Sequence, residues 1–179
     1  SILNSLASYL TDYVNIESSE LYNISSRAYG YYVLSLLKKT QQNDMDFFMQ
    51  RHQEKLLPES RAFIAGAYAN LGNINRAKEI IFVDLDIEKG VSFTQDDEKN
   101  LKLLFYSELR QKGIILNILM DMGQFADDEL KNQLLLKIVQ DLRSRSYVYY
   151  YSTQELVWSL RAFVKLVEQS SGTAKDQYE

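Results

Sequence analysis

The chain contains a single histidine, His52, and no cysteine, so few of its side chains can carry out acid–base or nucleophilic chemistry. A Ser-His-Asp site would have to use His52, and no Gly-x-Ser-x-Gly turn is present to display the serine. A histidine-based metal site lacks a second histidine, and disulfides, thiolate zinc sites and cysteine nucleophiles are excluded. His52 follows Arg51 on a polar helical face. We therefore predict a surface histidine, no catalytic residue and a protein that is not an enzyme.

Acidic clusters are the remaining candidates for chemistry, as metal ligands. Asp84, Asp86 and Glu88 would share one face of a strand, and three carboxylates can bind Ca²⁺. The surrounding residues lack the glycine and distal glutamate of a calcium-binding loop, so we predict a solvated strand face. The acids at 96–98 and 127–129 fit a loop or a helix start. The glycines are too widely spaced to form a phosphate-binding loop. We predict neither a metal nor a cofactor.

A cluster of tyrosines lies in the last quarter of the chain. Its members are Tyr147, Tyr149, Tyr150 and Tyr151. In an extended segment the odd-numbered tyrosines would share one face, and exposed tyrosines are effective interface residues. The alternative is that they pack under the following helix, with their hydroxyl groups at the rim. Arg143 and Arg145 lie beside them, as in some nucleic-acid sites, but the acidic total of the chain argues against nucleic acid.

The composition favours one all-α domain over residues 1–179. The chain has one proline and seven glycines, which is few for a turn-rich β-fold, and 46% of its residues are hydrophobic. The net charge is −4, whereas nucleic-acid binders usually carry a basic excess. The most apolar run, 114–120, is much shorter than the ~20 residues that cross a bilayer, so we predict no membrane insertion by this segment. Because Ser1 leads directly into an apolar helical pattern, we expect the chain to be a segment of a longer protein.

The stretch 151–168 is the clearest helix in the chain. Ser152 and Glu155 have the spacing of a capping box, in which each side chain bonds the backbone N–H of the other residue. The helix is predicted to end near Ser170-Ser171-Gly172, with the glycine just past its last turn. Its apolar stripe predicts a core helix. The stripe consists of Leu156, Leu160, Phe163, Val164 and Val167, widened by Trp158.

Seven more helical patterns precede this helix. They cover residues near 2–14, 26–39, 44–56, 58–71, 74–81, 107–122 and 127–142. Pro58 is expected at the first helical position, and Gly72 just past a helix end. Gly113 inside a helix costs about 1 kcal/mol against alanine, which predicts a close neighbour there. Short connections predict antiparallel helical hairpins in a partial α/α toroid.

The segment 83–106 is the exception to the helical pattern. Val83, Leu85 and Ile87 alternate with acidic residues, which is the period of a strand. Residues 101–106 fit either a partner strand or the start of the next helix. We predict a small β-hairpin within 83–106.

Four blocks of the chain carry a resemblance to a known family. In order, they are Ser26-Arg27-Ala28-Tyr29; Leu57-Pro58 with Arg61, Leu71-Gly72-Asn73 and Arg76-Ala77; Ser107-Glu108-Leu109-Arg110; and Ser152-Thr153-Gln154-Glu155 with Trp158. Together they resemble the thioester domain of bacterial alpha-2-macroglobulins, over residues 25–168. The resemblance implies an all-α toroid of paired helices, of which this chain is the later part.

The resemblance also implies a function for the parent protein. Members of this family trap a protease after it cuts an exposed bait segment, and a cysteine–glutamine thioester then couples to it. The implied partners are proteases and the neighbouring domains of the same chain, and the implied location is the bacterial periplasm or cell envelope. Because this chain holds no cysteine, no reactive residue of the family can be assigned in it.

Two other interpretations stay open. Residues 67–79 resemble one unit of a tetratricopeptide-type interaction scaffold. True arrays of that kind repeat at about 34 residues, and the positions 34 residues from Gly72 are Lys38 and Tyr106, neither of them glycine. A helical-toroid enzyme would need a pair of carboxylates facing a cavity, and Asp127 and Asp128 have no clear partner.

Overall fold

The computed structural model is all-α, as predicted. It describes residues 2–82, 101–102, 104, 106–123, 128–144 and 151–175, with the side chains of the last segment through residue 169. Eight α-helices lie in this part of the chain: α1 Ile2–Val14, α2 Leu21–Leu36, α3 Gln42–His52, α4 Pro58–Asn70, α5 Ile74–Phe82, α6 Glu108–Met122, α7 Asp128–Ser144 and α8 Thr153–Lys175. A short 3-10 turn, Gln53–Lys55, follows α3.

The predicted β-hairpin within 83–106 lies mostly outside the described residues. Of that segment, residues 101–102, 104 and 106 are described, and Leu101 and Lys102 are helical. The described part of the chain contains no strand. Among the same residues, no helix is long and apolar enough to cross a membrane.

The chain divides into two compact units, residues 1–106 and 107–179. The first contains α1 to α5 and the second contains α6 to α8. The single domain over 1–179 and the toroid both stay predictions.

Helix α4 forms the centre of the first unit, packing against α2 and α5. Every residue from Glu59 to Tyr68 is buried, as expected for a helix with neighbours around most of its circumference. Pro58 occupies the first helical position, as predicted. Arg61 is buried, and its guanidinium finds hydrogen-bond acceptors there in place of water. It donates to the carbonyl oxygens of Gln53 (2.7 Å) and Leu56 (3.3 Å).

Helices α2 and α4 end in the same backbone motif, 34 positions apart. Lys38 adopts φ 54° and Gly72 adopts φ 83°. In both motifs the following N–H reaches back five residues, from Lys39 to Leu34 and from Asn73 to Tyr68, each over 2.9 Å. This is the Schellman pattern of helix termination. The two ends are adjacent, since Asn70 Nδ2 donates to Ser35 Oγ over 2.9 Å.

The start of α2 differs from the sequence prediction. We predicted a start near Ser26, after a polar stretch, and the helix begins at Leu21 with Glu20 as its N-cap. Leu21 and Ile24 are buried, so this extra turn contributes apolar contacts that the polar residues around it concealed.

In the second unit, α6 packs closely against α8. A Cβ on Gly113 would lie 3.1 Å from the Cβ and the carbonyl carbon of Trp158, which is the close neighbour that the glycine predicted. Buried Asn117 donates through Nδ2 to the carbonyl oxygens of Gly113 and Trp158, both over 2.8 Å. Lys165 adds an ion pair with Asp121.

The caps of the second unit agree with the sequence. Ser107 Oγ accepts from the Arg110 N–H over 3.1 Å at the start of α6. Ser152 and Glu155 form both bonds of the capping box, over 2.7 and 3.2 Å, at the start of α8. The predicted end of α8 at Ser170-Ser171-Gly172 is wrong, because the helix continues to Lys175. A glycine inside a helix costs only about 1 kcal/mol, so it does not by itself end one.

The predicted core stripe of α8 is also wrong. Between residues 153 and 169 of this helix, Glu155, Ser159 and Ala162 are buried, whereas four of the five stripe residues are exposed and the fifth is half-buried. The exposed residues are Leu156, Leu160, Val164 and Val167. At the close approach to Gly113 the residue after Trp158 is the small, buried Ser159, and the helix crossing leaves the neighbouring Leu160 exposed.

Candidate functional site

The strongest candidate site is a cavity of about 670 Å³ in the first unit. It lies between the connection that follows α1, the first turns of α2, and the end of α3 with its 3-10 turn. Its ionisable lining residues are Glu17, Glu20, Arg27, Arg51, His52 and Lys55. Three are cations at all physiological pH values and two are carboxylates. A volume of this size is in the range of small-molecule sites.

Arg27 is the innermost charge of this cavity, with 8% of its surface exposed. Its Nε donates to the Val14 carbonyl oxygen over 2.7 Å, and its guanidinium carbon lies 4.9 Å from the centre of the Phe48 ring. Nη1 lies 3.5 Å from Nε2 of His52. Arg27 forms no ion pair with any residue that the structure describes. Buried guanidinium groups usually have a carboxylate or phosphate partner.

His52 is half-buried beside Arg27 and not on an open surface as predicted. Its ring centre lies 5.1 Å from that of Phe48. Burial lowers the pKa of His52 below its usual value. The positive charges of Arg27, Arg51 and Lys55 lower this pKa further, since a second cation is unfavourable among them. His52 is therefore neutral at pH 7, and its Nε2 can accept a hydrogen bond from Arg27.

The two carboxylates of the cavity are already engaged at its rim. Glu17 accepts from Arg51 Nη1 over 2.6 Å, and this bond, together with the charge of Arg51, lowers the Glu17 pKa. Glu20 Oε2 accepts from Asn23 Nδ2 over 2.9 Å. Lys55 donates to the Ser19 carbonyl oxygen over 3.2 Å. Neither Arg27 nor Lys55 thus forms an ion pair with a carboxylate of the described residues, although the charge of Arg27 also lowers the Glu17 pKa.

Of the four tyrosines predicted as an interface, only Tyr151 lies in the described part of the chain. It is half-buried, and its hydroxyl donates to the Leu142 carbonyl oxygen over 2.6 Å, at the end of α7. Tyr147, Tyr149 and Tyr150 lie outside the described residues, so their role as an interface stays a prediction.

Most of the acidic candidates for a metal also lie outside the described residues. This applies to Asp84, Asp86 and Glu88, to residues 96–98, and to Asp127. Asp128 is exposed in the first turn of α7 and pairs with Lys131, as expected for an acid at a helix start. In the described part of the chain, no group of three potential ligands could hold a metal ion.

Sequence reasoning missed the cavity, because its residues come from three segments that look unrelated along the chain. One signal was available in Arg27. Its spacing places it on the same helical face as Ile24 and Tyr31, and an arginine on an apolar face is a candidate for a buried cation.

Comparisons of the chain with protein families, curated proteins and solved structures gave no significant match.

Proposed function

We propose that this chain is the helical part of an alpha-2-macroglobulin-like protease inhibitor, from the later part of its thioester domain. In this proposal the parent protein traps attacking proteases in the periplasm or cell envelope. The helical part supports that reaction as scaffold, while the reactive cysteine belongs to another part of the parent or is absent from it.

The observation that carries the proposal is the contact between the third and fourth blocks. The helix that follows Ser107 packs its Gly113 against Trp158, and Asn117 donates to the Trp158 carbonyl oxygen. The Ser152–Glu155 capping box fixes the start of the helix that carries Trp158. Blocks far apart in sequence thus contribute to one helix crossing, which supports a likeness of architecture over a chance likeness of short motifs.

The first two blocks have comparable structural roles. Arg27 and Arg61 are both buried and donate to backbone carbonyl oxygens of preceding segments. Gly72 ends α4 in a left-handed conformation, and Asn73 Oδ1 accepts from the Arg76 N–H at the start of α5. The residues that carry the resemblance are therefore those that hold the helices in position.

The test uses the full-length gene product that contains these residues. We incubate it with a serine protease and with a metalloprotease, then measure cleavage of a large protein substrate and the mass of the protease on a denaturing gel. We expect loss of cleavage. A protease band of higher mass indicates a thioester in the parent, and inhibition without the shift indicates a non-covalent trap.

The matched control is the same protease blocked at its active site before mixing. It cannot cut a bait segment, so we expect no adduct and no complex. Proteases that stay fully active in the presence of excess protein would contradict the proposal.

A tetratricopeptide-type scaffold is the second candidate, and one observation favours it. The Schellman motifs that end α2 and α4 repeat at 34 residues, with Lys38 in the place of Gly72. The backbone conformation thus repeats at 34 residues although the glycine does not. It does not repeat a third time at Tyr106, because among described residues Lys38 alone is a non-glycine with positive φ. Two units are fewer than the three that a stable array needs.

The parent sequence distinguishes these two candidates. Further helical hairpins at 34-residue spacing next to residues 21–82 would favour the scaffold. A cysteine-containing thioester motif upstream, behind β-sandwich domains, would favour the protease inhibitor.

A further inference from the structure

We propose that the cavity lined by Arg27, His52 and Lys55 binds a small oxyanion of the phosphate or carboxylate class. This inference concerns residues 16–55 alone and goes beyond the function proposed above. It stands whether the parent is a protease inhibitor or a scaffold.

Arg27 is a buried cation that forms no ion pair with the described carboxylates. It is 8% exposed, and the partners it contacts are a carbonyl oxygen, an imidazole and aromatic side chains. Its charge also acts on the Glu17 carboxylate, which is bonded to Arg51. Removing a guanidinium from water is costly unless an anion compensates it. The guanidinium edge binds carboxylate and phosphate oxygens in a bidentate manner, and an anion in the cavity would supply that partner.

The lining of the cavity has a positive net charge. Arg27, Arg51 and Lys55 supply three positive charges and Glu17 and Glu20 supply two negative ones, which leaves +1 when His52 is neutral. Arg51 is paired with Glu17 at 2.6 Å, whereas the bond from the neutral Asn23 amide does not cancel the charge of Glu20. A cation in excess beside a buried guanidinium favours a small anion.

His52 provides a way to detect the anion. Its pKa is lowered first by burial and then by the charges of Arg27, Arg51 and Lys55. A bound anion would stabilise the imidazolium and raise this pKa. Because His52 is the only histidine of the chain, its imidazole protons give one isolated signal for the site.

The experiment follows the His52 signal by proton NMR while the protein is titrated with inorganic phosphate, and separately with succinate. Sodium chloride of matched ionic strength is the reference. We expect a saturable change in chemical shift and a higher His52 pKa with at least one of the two probes. Saturation by phosphate alone assigns a phosphate-bearing ligand, by succinate alone a carboxylate ligand, and by both a general oxyanion site.

Three variants connect the signal to the cavity without touching Arg27, whose bond to the Val14 carbonyl oxygen also supports the fold. Lys55→Gln removes one free cation and should weaken binding about threefold or more. Glu17→Gln releases Arg51 and removes a carboxylate from the rim, so binding should tighten. Lys39→Gln removes the same charge as Lys55→Gln from an exposed position outside the cavity and should leave affinity unchanged.

A gain of affinity in Glu17→Gln cannot result from a damaged fold, which keeps the proposal falsifiable. Chemical shifts that drift without saturation, as they do in chloride, would overturn it. Equal effects of Lys55→Gln and Lys39→Gln would overturn it as well, because nonspecific attraction to the surface would then explain the data.

Discussion

Lys38 and Gly72 occupy the same position in two equivalent helix ends, yet only one of them suits the backbone conformation there. An L-residue with a side chain pays roughly 1–2 kcal/mol in the left-handed region, whereas glycine does not. Lys38 adopts φ 54° and Gly72 adopts φ 83°. The two sites therefore form a matched pair in which one residue is strained and the other is not.

We predict opposite effects for exchanges at these two positions. Lys38→Gly should raise the free energy of unfolding by about 0.5–1 kcal/mol, and Gly72→Ala should lower it by about 1 kcal/mol or more. Urea denaturation of the two variants and the parent chain measures both changes. Lys39→Gly, one residue further along, is the control and should give no stabilisation. Destabilisation by Lys38→Gly would contradict the left-handed conformation at residue 38.

His52 supplies a pH dependence whose sign follows from its environment. Its pKa is lowered in the folded chain, mainly by burial and then by nearby cations, so the unfolded chain takes up the proton first as the pH falls. The stability linked to neutral His52 is therefore present above about pH 6.5, the unperturbed value, and is lost as the pH falls through the folded pKa.

We expect His52→Gln to flatten the stability profile of the chain between about pH 7 and pH 5. The free energy of unfolding is measured across this range in buffers without phosphate or carboxylate ions, so that no such anion occupies the cavity. Carboxylates titrate at lower pH in both proteins, and the difference between the two profiles isolates the histidine. Parallel profiles would show that the pKa of His52 is not lowered.

At the scale of helices, close approach at glycine determines which elements meet. A Cβ on Gly30 would lie 2.7 Å from Cγ1 of buried Val14, so α1 and α2 touch at this point. At Gly113 the nearest atoms belong to the Trp158 backbone and Cβ. The overlap at Gly30 can be relieved by shortening the Val14 side chain. The overlap at Gly113 cannot be relieved in this way, because it involves the backbone and Cβ of Trp158.

We predict that Gly30→Ala and Val14→Ala are coupled. Gly30→Ala alone gains about 1 kcal/mol of helix propensity but loses more through overlap with Val14, so it should destabilise the chain. Val14→Ala alone removes buried methyl groups and should also destabilise it. In the double variant the overlap is absent, and we expect a favourable coupling energy of about 0.5–3 kcal/mol.

The four proteins of this cycle are compared by denaturant unfolding. Additivity within about 0.3 kcal/mol would show that α1 and α2 do not approach each other at Gly30.

At the scale of the whole molecule, the buried surface is unevenly distributed among helices with similar sequence patterns. Helices α4 and α6 are almost fully buried, although neither has the cleanest amphipathic pattern. Helix α8 has a regular apolar stripe and exposes most of it. An amphipathic pattern shows that a helix has an apolar face, but the presence of a neighbour determines whether that face is covered.

We predict that Leu160 and Leu116 differ widely in their contributions to stability. Leu160 is 59% exposed on α8, and Leu116 is 0% exposed on α6. Leu160→Gln should change the free energy of unfolding by at most about 0.5 kcal/mol, whereas Leu116→Ala should cost about 2–5 kcal/mol. Thermal and urea unfolding of both variants measures this. A loss above about 1 kcal/mol in Leu160→Gln would contradict the exposure of the stripe.

The sequence by itself determined the helical class and the helix ends that depend on local chemistry. Pro58, Gly72, Ser107 and the Ser152–Glu155 pair all act as predicted, because capping needs only the residues of one turn. The close neighbour of Gly113 was also predictable, since a helix interior retains a glycine mainly where alanine does not fit.

Tertiary structure alone decided which helical faces are buried and which side chains form the cavity. Arg27, Glu17 and Lys55 come together only when the connection after α1, the start of α2 and the end of α3 converge. The local conformational preferences of each segment do not determine that these three segments meet. The same holds for α8, where the crossing at Gly113 covers Ser159 and leaves Leu160 exposed.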